Sequence, residues 1–223
     1  MATYTSEVQI GNEALVLLGE ERIASFDDEG KAARTLKREY PNERDQLLES
    51  YNWKFAIARA SLSSDSTDPA FGFSNRFLLP ADCLRFLGLY STFSRSNDPQ
   101  VNYTGTDIHH KIEGRFLLLD ENSSDSDNEA LIFYIRAVTN PLEFAPLFGK
   151  ALALSLAVKC CYDLTGSITR LNTLQAELDR VMKRARLMQA IQGTTEVVVA
   201  SEWTDAHDGY WGSAWPGQRG WTG

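Results

Sequence analysis

Residues 146–164 are apolar on nearly every side of the helix that their pattern predicts. Lys150 and Lys159 are the only charged residues before Tyr162. A helix without a polar face has to be covered on most sides by other elements, because exposed apolar surface is unfavourable in water. The segment therefore predicts a central helix around which other parts of the chain pack.

Residues 6–19 have the helical spacing of apolar side chains that predicts a first helix near the N-terminus. Ser6 and Gln9 fit a capping box, in which a serine hydroxyl accepts a hydrogen bond from a backbone N–H of the first turn. Gly19 is suited to the C-terminus, because glycine adopts the left-handed conformation at low cost. Both ends of this helix are therefore predicted to be fixed by local residues.

A second helix is predicted from about Gly30 to Tyr51, with Asp27 or Asp28 as its N-cap. Pro41 lies inside it and lacks a backbone N–H, so we expect either a kink or two abutting helices at this position. The predicted apolar face consists of Leu36, Tyr40, Leu47, Leu48 and Tyr51.

A last helix is predicted after Gly166, which ends the apolar helix, with Ser167 as its N-cap. Its apolar side chains recur at steps of three and four residues, which is typical of a bundle seam or a short coiled-coil stripe. The seam consists of Leu171, Leu174, Leu178, Val181, Ala185 and Met188. The opposite face carries Arg180, Lys183, Arg184 and Arg186. These cations are candidates for an inter-subunit or DNA-channel face, against the ordinary alternative of a solvated helix face.

Between the helical parts, the chain changes to the alternating pattern of short antiparallel strands. The alternation begins at Phe55, and a hairpin is expected to turn near Glu113-Gly114. Further strands are predicted at 76–80, 84–90, 107–112, 115–120 and 130–138. Residues 120–129 hold five acids and no base, which predicts a solvated loop.

The C-terminal segment 193–223 differs in composition from the rest of the chain. It contains six of the fifteen glycines and four of the five tryptophans. Large aromatic side chains on a glycine-rich arm are better explained as anchors on another subunit than as free groups in water. The candidate anchors are Trp203, Tyr210, Trp211, Trp215 and Trp221.

Together these patterns predict an α+β fold, in which an antiparallel helical bundle carries an inserted small antiparallel β domain and an extended C-terminal arm. The two halves of the bundle are expected at 1–52 and 141–192, and the β domain at 53–140. The arm is expected at 193–223. No internal repeat and no low-complexity linker occurs in the sequence.

The formal net charge of −8 disfavours tight binding of DNA phosphates, which requires clustered lysine and arginine. The N-terminal residues are polar and no run of 18 apolar residues occurs, so neither a signal peptide nor a membrane span is expected. The three cysteines, Cys83, Cys160 and Cys161, are expected to be reduced, as in a cytoplasmic environment.

No residue pattern predicts a catalytic, metal or cofactor site. His109 and His110 are neighbours on a predicted strand and point to opposite faces, which disfavours a shared metal ion. Cys160 and Cys161 lack the spacing of a redox motif and are interpreted as small core residues. The acidic segment 120–129 lacks the glycine of a calcium loop. Nucleotide-binding signatures are also absent from the sequence, so an enzyme is not expected.

Several stretches, in this order, resemble the tail tubular protein A family of short-tailed bacteriophages, the head-to-tail adaptors. The first comprises Lys31-Ala-Ala-Arg34, Tyr40-Pro41, Arg44-Asp45, Tyr51-Asn-Trp53-Lys-Phe55-Ala56 and Arg59-Ala-Ser-Leu62. The second is Leu79-Pro-Ala-Asp82-Cys83-Leu84-Arg85. The third runs from Phe148 to Ala157 and ends in Tyr162-Asp-Leu-Thr-Gly166-Ser167. Ala190-Ile-Gln-Gly193 and Ser201-Glu-Trp203 follow, whereas the last twenty residues go beyond the family pattern.

The resemblance implies a structural protein of the virion, located at the head–tail junction and assembled in the host cytoplasm. Twelve copies are expected to form a ring under the portal protein, with the β domain towards the tail nozzle or tail tube. The arm is expected to clasp the portal. Packaged DNA would pass through the ring without sequence-specific binding, and no membrane is involved. An acidic lumen, expected from the net charge, would repel the DNA phosphates.

Two alternatives remain open at the level of the sequence. A transient assembly factor would leave the mature particle, whereas an adaptor would stay in it. A tail-associated glycan hydrolase would need two carboxylates at a defined separation across a cleft, and the sequence singles out no such pair.

Overall fold

A computed structural model describes residues 4–67, 69–89, 109–120 and 129–191 of the 223-residue chain. Within these ranges the fold is α+β, with four α-helices and two small antiparallel three-stranded sheets. The elements up to Ala190 belong to one compact unit. Among the described residues, no helix is both long and apolar enough to span a membrane.

The four helices lie at the two ends of the described chain. Their bounds are α1 Glu7–Leu18, α2 Lys31–Glu49, α3 Pro146–Thr165 and α4 Ile168–Ile191. The predicted caps of α1 are confirmed: the Ser6 hydroxyl accepts a hydrogen bond from the Gln9 N–H, and Gly19 is left-handed with φ 73°. Gly166 ends α3 in the same conformation, and the Ser167 hydroxyl accepts from the Arg170 N–H at the start of α4. Local sequence therefore fixes these helix ends.

The predicted aspartate cap of α2 is wrong. Gly30 is the N-cap and makes no side-chain hydrogen bond. Asp28 instead accepts hydrogen bonds from the Ala24 and Ser25 N–H groups, while Asp27 pairs with Lys37 at 2.6 Å. The two aspartates thus organise the connection before α2. The helix is continuous through Pro41, so of the two expected arrangements the pair of abutting helices is wrong.

The central helix α3 is covered on most sides, as its sequence predicts. Ala151, Leu152, Ala153 and Leu154 are all fully buried. Because successive helical residues are about 100° apart, four consecutive buried positions leave no exposed side at this level. Helices α1 and α2 both pack on α3, and residues of all four helices contribute to one hydrophobic core.

An aromatic cluster closes this core where α2 leads into the first strand. The Trp53 ring is fully buried, 5.1 Å from the Phe148 ring of α3 in an edge-on arrangement. Phe55 and Phe144 complete the cluster, each within 5.1 Å of Phe148. The Trp53 indole N–H donates to the Leu47 carbonyl at 2.8 Å, so its polar atom is satisfied inside the core.

The N-terminal residues are fixed over a glycine of α3. A Cβ atom built on Gly149 would lie 2.2 Å from the Tyr4 ring, so only glycine allows this ring to lie against the helix. The Tyr4 hydroxyl donates to Glu13 of α1 at 2.5 Å. Burial, followed by this hydrogen bond, raises the pKa of Tyr4 above its usual value. Tyr4 therefore links the entry of the chain to both α1 and α3.

The predicted strands are confirmed to within a few residues. Their bounds are β1 Ile57–Ser63, β2 Asn75–Leu78, β3 Cys83–Leu89, β4 His110–Glu113, β5 Phe116–Leu119 and β6 Glu129–Arg136. One sheet has the order β1-β6-β3 and the other β2-β5-β4, all antiparallel. The β4–β5 hairpin turns at Gly114, whose φ is 61°, as expected.

A second hydrophobic cluster lies between the sheets, with Phe77, Leu117 and Ile132 among its buried members. The start of the first strand differs from the prediction. Residues Lys54–Ala56 form a 3-10 turn, so the strand begins at Ile57 rather than at Phe55. The Lys54 N–H donates a hydrogen bond to the Gln189 side chain of α4, so this N–H is not available for pairing with a strand.

The seam of α4 is confirmed at Leu174 and Ala185, which are buried, but is wrong at Met188, which is 43% exposed. Gln189 is buried in its place, 6% exposed, because its amide oxygen accepts the hydrogen bond from the Lys54 N–H. Gln189, which accepts a hydrogen bond from a backbone N–H, therefore faces the core, whereas its apolar neighbour Met188 does not.

Two predicted segments fall outside the described residues. The acidic loop is described only at its ends, Asp120 and Glu129. The arm 193–223 lies wholly outside them, as do its candidate anchors Trp203, Tyr210, Trp211, Trp215 and Trp221. The domain bounds given above stay predictions.

Replacing Trp53 by alanine is expected to lower the free energy of unfolding by about 3–5 kcal/mol, because it opens a cavity against Phe148 and leaves the Leu47 carbonyl without its donor. Trp53→Phe keeps an aromatic ring and should be less costly. Denaturant titration followed by circular dichroism measures both values. A loss below about 1 kcal/mol for the alanine variant would contradict this account of the core.

Candidate functional site

Helix α4 is fixed near its start by a contact with α1. The Ser167 hydroxyl caps the first turn, and the Arg170 guanidinium donates to the Leu18 carbonyl at the end of α1. The last carbonyls of a helix have no partner within it, so a cation is favourable there. This contact places the beginning of α4 beside the C-terminus of α1.

The other end of α4 is fixed to the exit of α2. The Tyr51 hydroxyl donates to the Arg186 carbonyl at 3.2 Å, and the Arg186 guanidinium carbon lies 5.7 Å from the centre of the Tyr51 ring. Gln189 adds the hydrogen bond with the Lys54 N–H described above. Between these two ends the helix contacts the core only along its narrow seam.

The side of α4 away from the seam carries Arg180, Lys183, Arg184 and Leu187. Their spacing of three and four residues places them next to one another on the helix surface. All four are exposed, and Leu187 is 60% exposed among the cations. No carboxylate of the described residues lies within 4.0 Å of the three cations. We call these four residues the outer face of α4.

A groove of about 340 Å³ runs between α2 and α4. Lys183 and Arg186 line it together with the carboxylates Glu43 and Asp179. Glu43 is buried, accepts a hydrogen bond from the Ser155 hydroxyl at 2.5 Å and lies 3.6 Å from the Lys159 ammonium. Its charge is therefore compensated by α3, and Lys183 remains without a carboxylate partner from the described ranges at the groove edge.

A second groove, of about 500 Å³, runs along the outside of α1. Its far wall is the chain 22–24, which is held to α1 because the Asn12 amide bonds both the N–H and the carbonyl of Ile23, at 2.8 and 2.9 Å. Val16 lines this groove and is 53% exposed. Glu13 also lines it, and Glu20 and Glu21 follow directly after α1. We call this the α1 groove.

The remaining chemical candidates do not form a site. His109 stacks on Phe73 and lies 3.0 Å from Asp120, whereas His110 contacts Phe86, so the two rings have different surroundings. In the described part of the chain, no three potential metal ligands come together. Cys160 and Cys161 are fully buried, as predicted for core residues. Burial raises the pKa of the Cys160 thiol to about 12, which suppresses the reactive thiolate.

The structure thus brings three of the four predicted cations together on one face, while Arg186 shares only the groove with Lys183. Arg180, Lys183 and Arg184 belong to the outer face, whereas the Arg186 side chain turns towards Tyr51. Sequence reasoning missed Leu187, although an apolar residue inside a basic face was a visible signal. It also missed the α1 groove, because the Asn12–Ile23 contact that forms it leaves no recognisable motif.

No protein-family model matches the chain, and no curated protein is significantly similar to it.

The outer face of α4 is expected to contribute almost nothing to the stability of the isolated chain, because its side chains are exposed and the cations unpaired. Arg184→Ala should change the free energy of unfolding by less than about 0.5 kcal/mol. Arg170→Ala is the matched control on the same helix, and should cost about 1 kcal/mol through the lost bond to Leu18. Chemical denaturation measures both free energies of unfolding. A loss of about 1 kcal/mol for Arg184→Ala, as large as that expected for Arg170→Ala, would show that the outer face has a structural role.

Proposed function

We propose that this protein is a structural subunit of a bacteriophage virion, a head-to-tail adaptor that forms a ring of twelve copies between portal and tail. In this role it retains packaged DNA and provides the docking site for the tail. The observation that carries the proposal is the order of the adaptor-like stretches in the sequence. Their key aromatic residues, Trp53, Phe55 and Phe148, pack in one cluster, as expected when such stretches specify a common fold.

The finer architecture belongs to the same proposal. The helices form an antiparallel bundle that packs side by side in the ring, and the β domain faces the tail nozzle or tail tube. The arm 193–223 clasps the portal through Trp203, Tyr210, Trp211, Trp215 and Trp221. Twelve weak arms acting together bind far more strongly than one, which suits attachment to a portal ring.

The outer face of α4 supports an assembly role. A helix that touches its own core along a narrow seam leaves most of its surface for other molecules, and three unpaired cations make this surface basic on an acidic protein. Within the adaptor proposal, Arg180, Lys183, Arg184 and Arg186 lie at the contact between subunits or towards the DNA channel.

One observation favours a second candidate, the tail-associated glycan hydrolase. Glu43 and Asp179 line the same groove from two helices, and glycan hydrolysis uses a pair of carboxylates. The ion-paired state of Glu43 favours a structural role for it. Release of reducing sugar from host surface glycans by the wild type and not by Glu43→Gln would establish the enzyme; absence of turnover leaves the adaptor as the better proposal.

Assembly on the portal tests the adaptor. The purified chain is expected to bind portal rings of its own phage at one copy per portal subunit, seen by electron microscopy and by native mass measurement. It should also be present in purified particles, which separates an adaptor from a transient assembly factor. A chain that is absent from particles and binds no portal would overturn the proposal.

Truncation after Gly193 is expected to abolish or weaken binding to the portal while leaving the rest folded, because Met1–Ala190 is a compact unit. The free energy of unfolding should change by less than about 1 kcal/mol, the range of surface changes. Calorimetry and portal co-sedimentation measure the two effects. Trp211→Ala with Trp215→Ala in the full chain is the milder control. Unfolding of the truncated chain would instead assign the arm to the core.

A further inference from the structure

We infer that the outer face of α4 docks into the α1 groove of a second copy of this chain. The inference rests on the proposed ring and names the contact that would close it. The outer face consists of Arg180, Lys183, Arg184 and Leu187. The receiving surface is the end of the α1 groove that Val16 lines, where Glu20 and Glu21 directly precede the groove-lining Arg22 in the chain.

The two surfaces are complementary in charge and in apolar character. Leu187 is 60% exposed between three cations. Val16 is 53% exposed near the end of α1, where the Glu20 N–H bonds the Leu15 carbonyl and Glu21 follows. Glu20 and Glu21 have no cation partner among the described residues. Arg22 is the one cation that lines the groove. An apolar contact surrounded by opposite charges is the arrangement of an interface core with a polar rim.

Other acidic groups near α1 are already engaged and do not compete for this role. Asp27 pairs with Lys37, and Asp28 accepts two backbone hydrogen bonds. Glu13 is fixed by the hydroxyl of Tyr4, which keeps its carboxylate beside α1. The free carboxylates at this place are thus those of Glu20 and Glu21, directly after the end of α1.

One chain cannot make this contact with itself. The end of α1 lies beside Arg170, at the beginning of α4. Arg184 is fourteen residues further along a helix that rises 1.5 Å per residue, which places it about 20 Å from the end of α1 that carries Val16 and Glu20. The contact therefore joins different copies. Because it uses two different surfaces of each subunit, it is head-to-tail, and such a contact generates a ring when its rotation closes.

Charge reversal on each surface tests the inference. Arg180→Glu with Arg184→Glu reverses the outer face, and Glu20→Lys with Glu21→Lys reverses the groove. Each double variant of the full chain is expected to weaken association between copies by more than about 100-fold, because like charges then face each other. Sedimentation velocity, with and without portal rings, measures the association.

Mixing the two variants provides the decisive comparison. When the two variants alternate around the ring, each contact joins either two native surfaces or two reversed surfaces. Both kinds of contact bring opposite charges together. An equimolar mixture should therefore restore rings, and a ring of twelve accommodates the alternation because its number is even. The matched control is Arg34→Glu with Lys150→Glu, two exposed cations that line neither groove, and it should assemble like the wild type.

A cross-link checks the geometry independently of charge. In a Cys83→Ser background, with Cys160 and Cys161 buried, Val16→Cys mixed with Leu187→Cys should give disulfide-linked dimers under mild oxidation. Either variant alone should give few.

The outcomes separate this inference from the adaptor proposal. Normal portal-bound rings from both charge-reversed variants would overturn the inference and leave the adaptor standing. Intact rings that lose retention of DNA only when Arg180 and Arg184 are reversed would overturn it in favour of a face towards DNA. A wild type that never joins the portal would instead overturn the adaptor. Restoration by mixing, together with the mixed cross-link, would establish the contact.

Discussion

The burial of α3 is the interaction on which the rest of the structure depends. Its middle turns are almost wholly apolar, so α1, α2 and the aromatic residues around Trp53 have to cover most of its surface. Tyr4 shows how tight this cover is, because its ring occupies the space that a side chain on Gly149 would need. While these elements pack on α3, the outside of α1 and most of α4 stay exposed.

Helix α4 is held by hydrogen bonds at its two ends and has an open surface between them. Hydrogen bonds at its two ends, from Arg170 to Leu18 and from Lys54 to Gln189, hold its position and direction. Only a narrow seam between them is buried. This arrangement presents Leu187 and its neighbouring cations on the side of α4 that faces away from the core.

The sequence predicted the fold better than the candidate site. Helix ends at Ser6, Gly19 and Gly166 were predictable because a cap acts through residues within one turn. The aspartate cap of α2 was not, since Asp28 has equally good donors before the helix. Within the site, the exposure of three cations followed from the seam, whereas the contact of Arg186 with Tyr51 joins residues 135 positions apart. The α1 groove depends on the hydrogen bonds between Asn12 and Ile23, and no sequence pattern distinguishes this asparagine from others.

By itself, the sequence determined the type, order and approximate limits of the helices and strands, because side-chain periodicity and capping act over a few residues. It also determined that the helix at 146–164 lies inside the protein, since no other environment suits it. Only the tertiary structure decided that Gln189 rather than Met188 faces inward, and that the end of α1 meets the start of α4. Those outcomes depend on which distant groups become neighbours, and that is settled by the packing of the whole chain around α3.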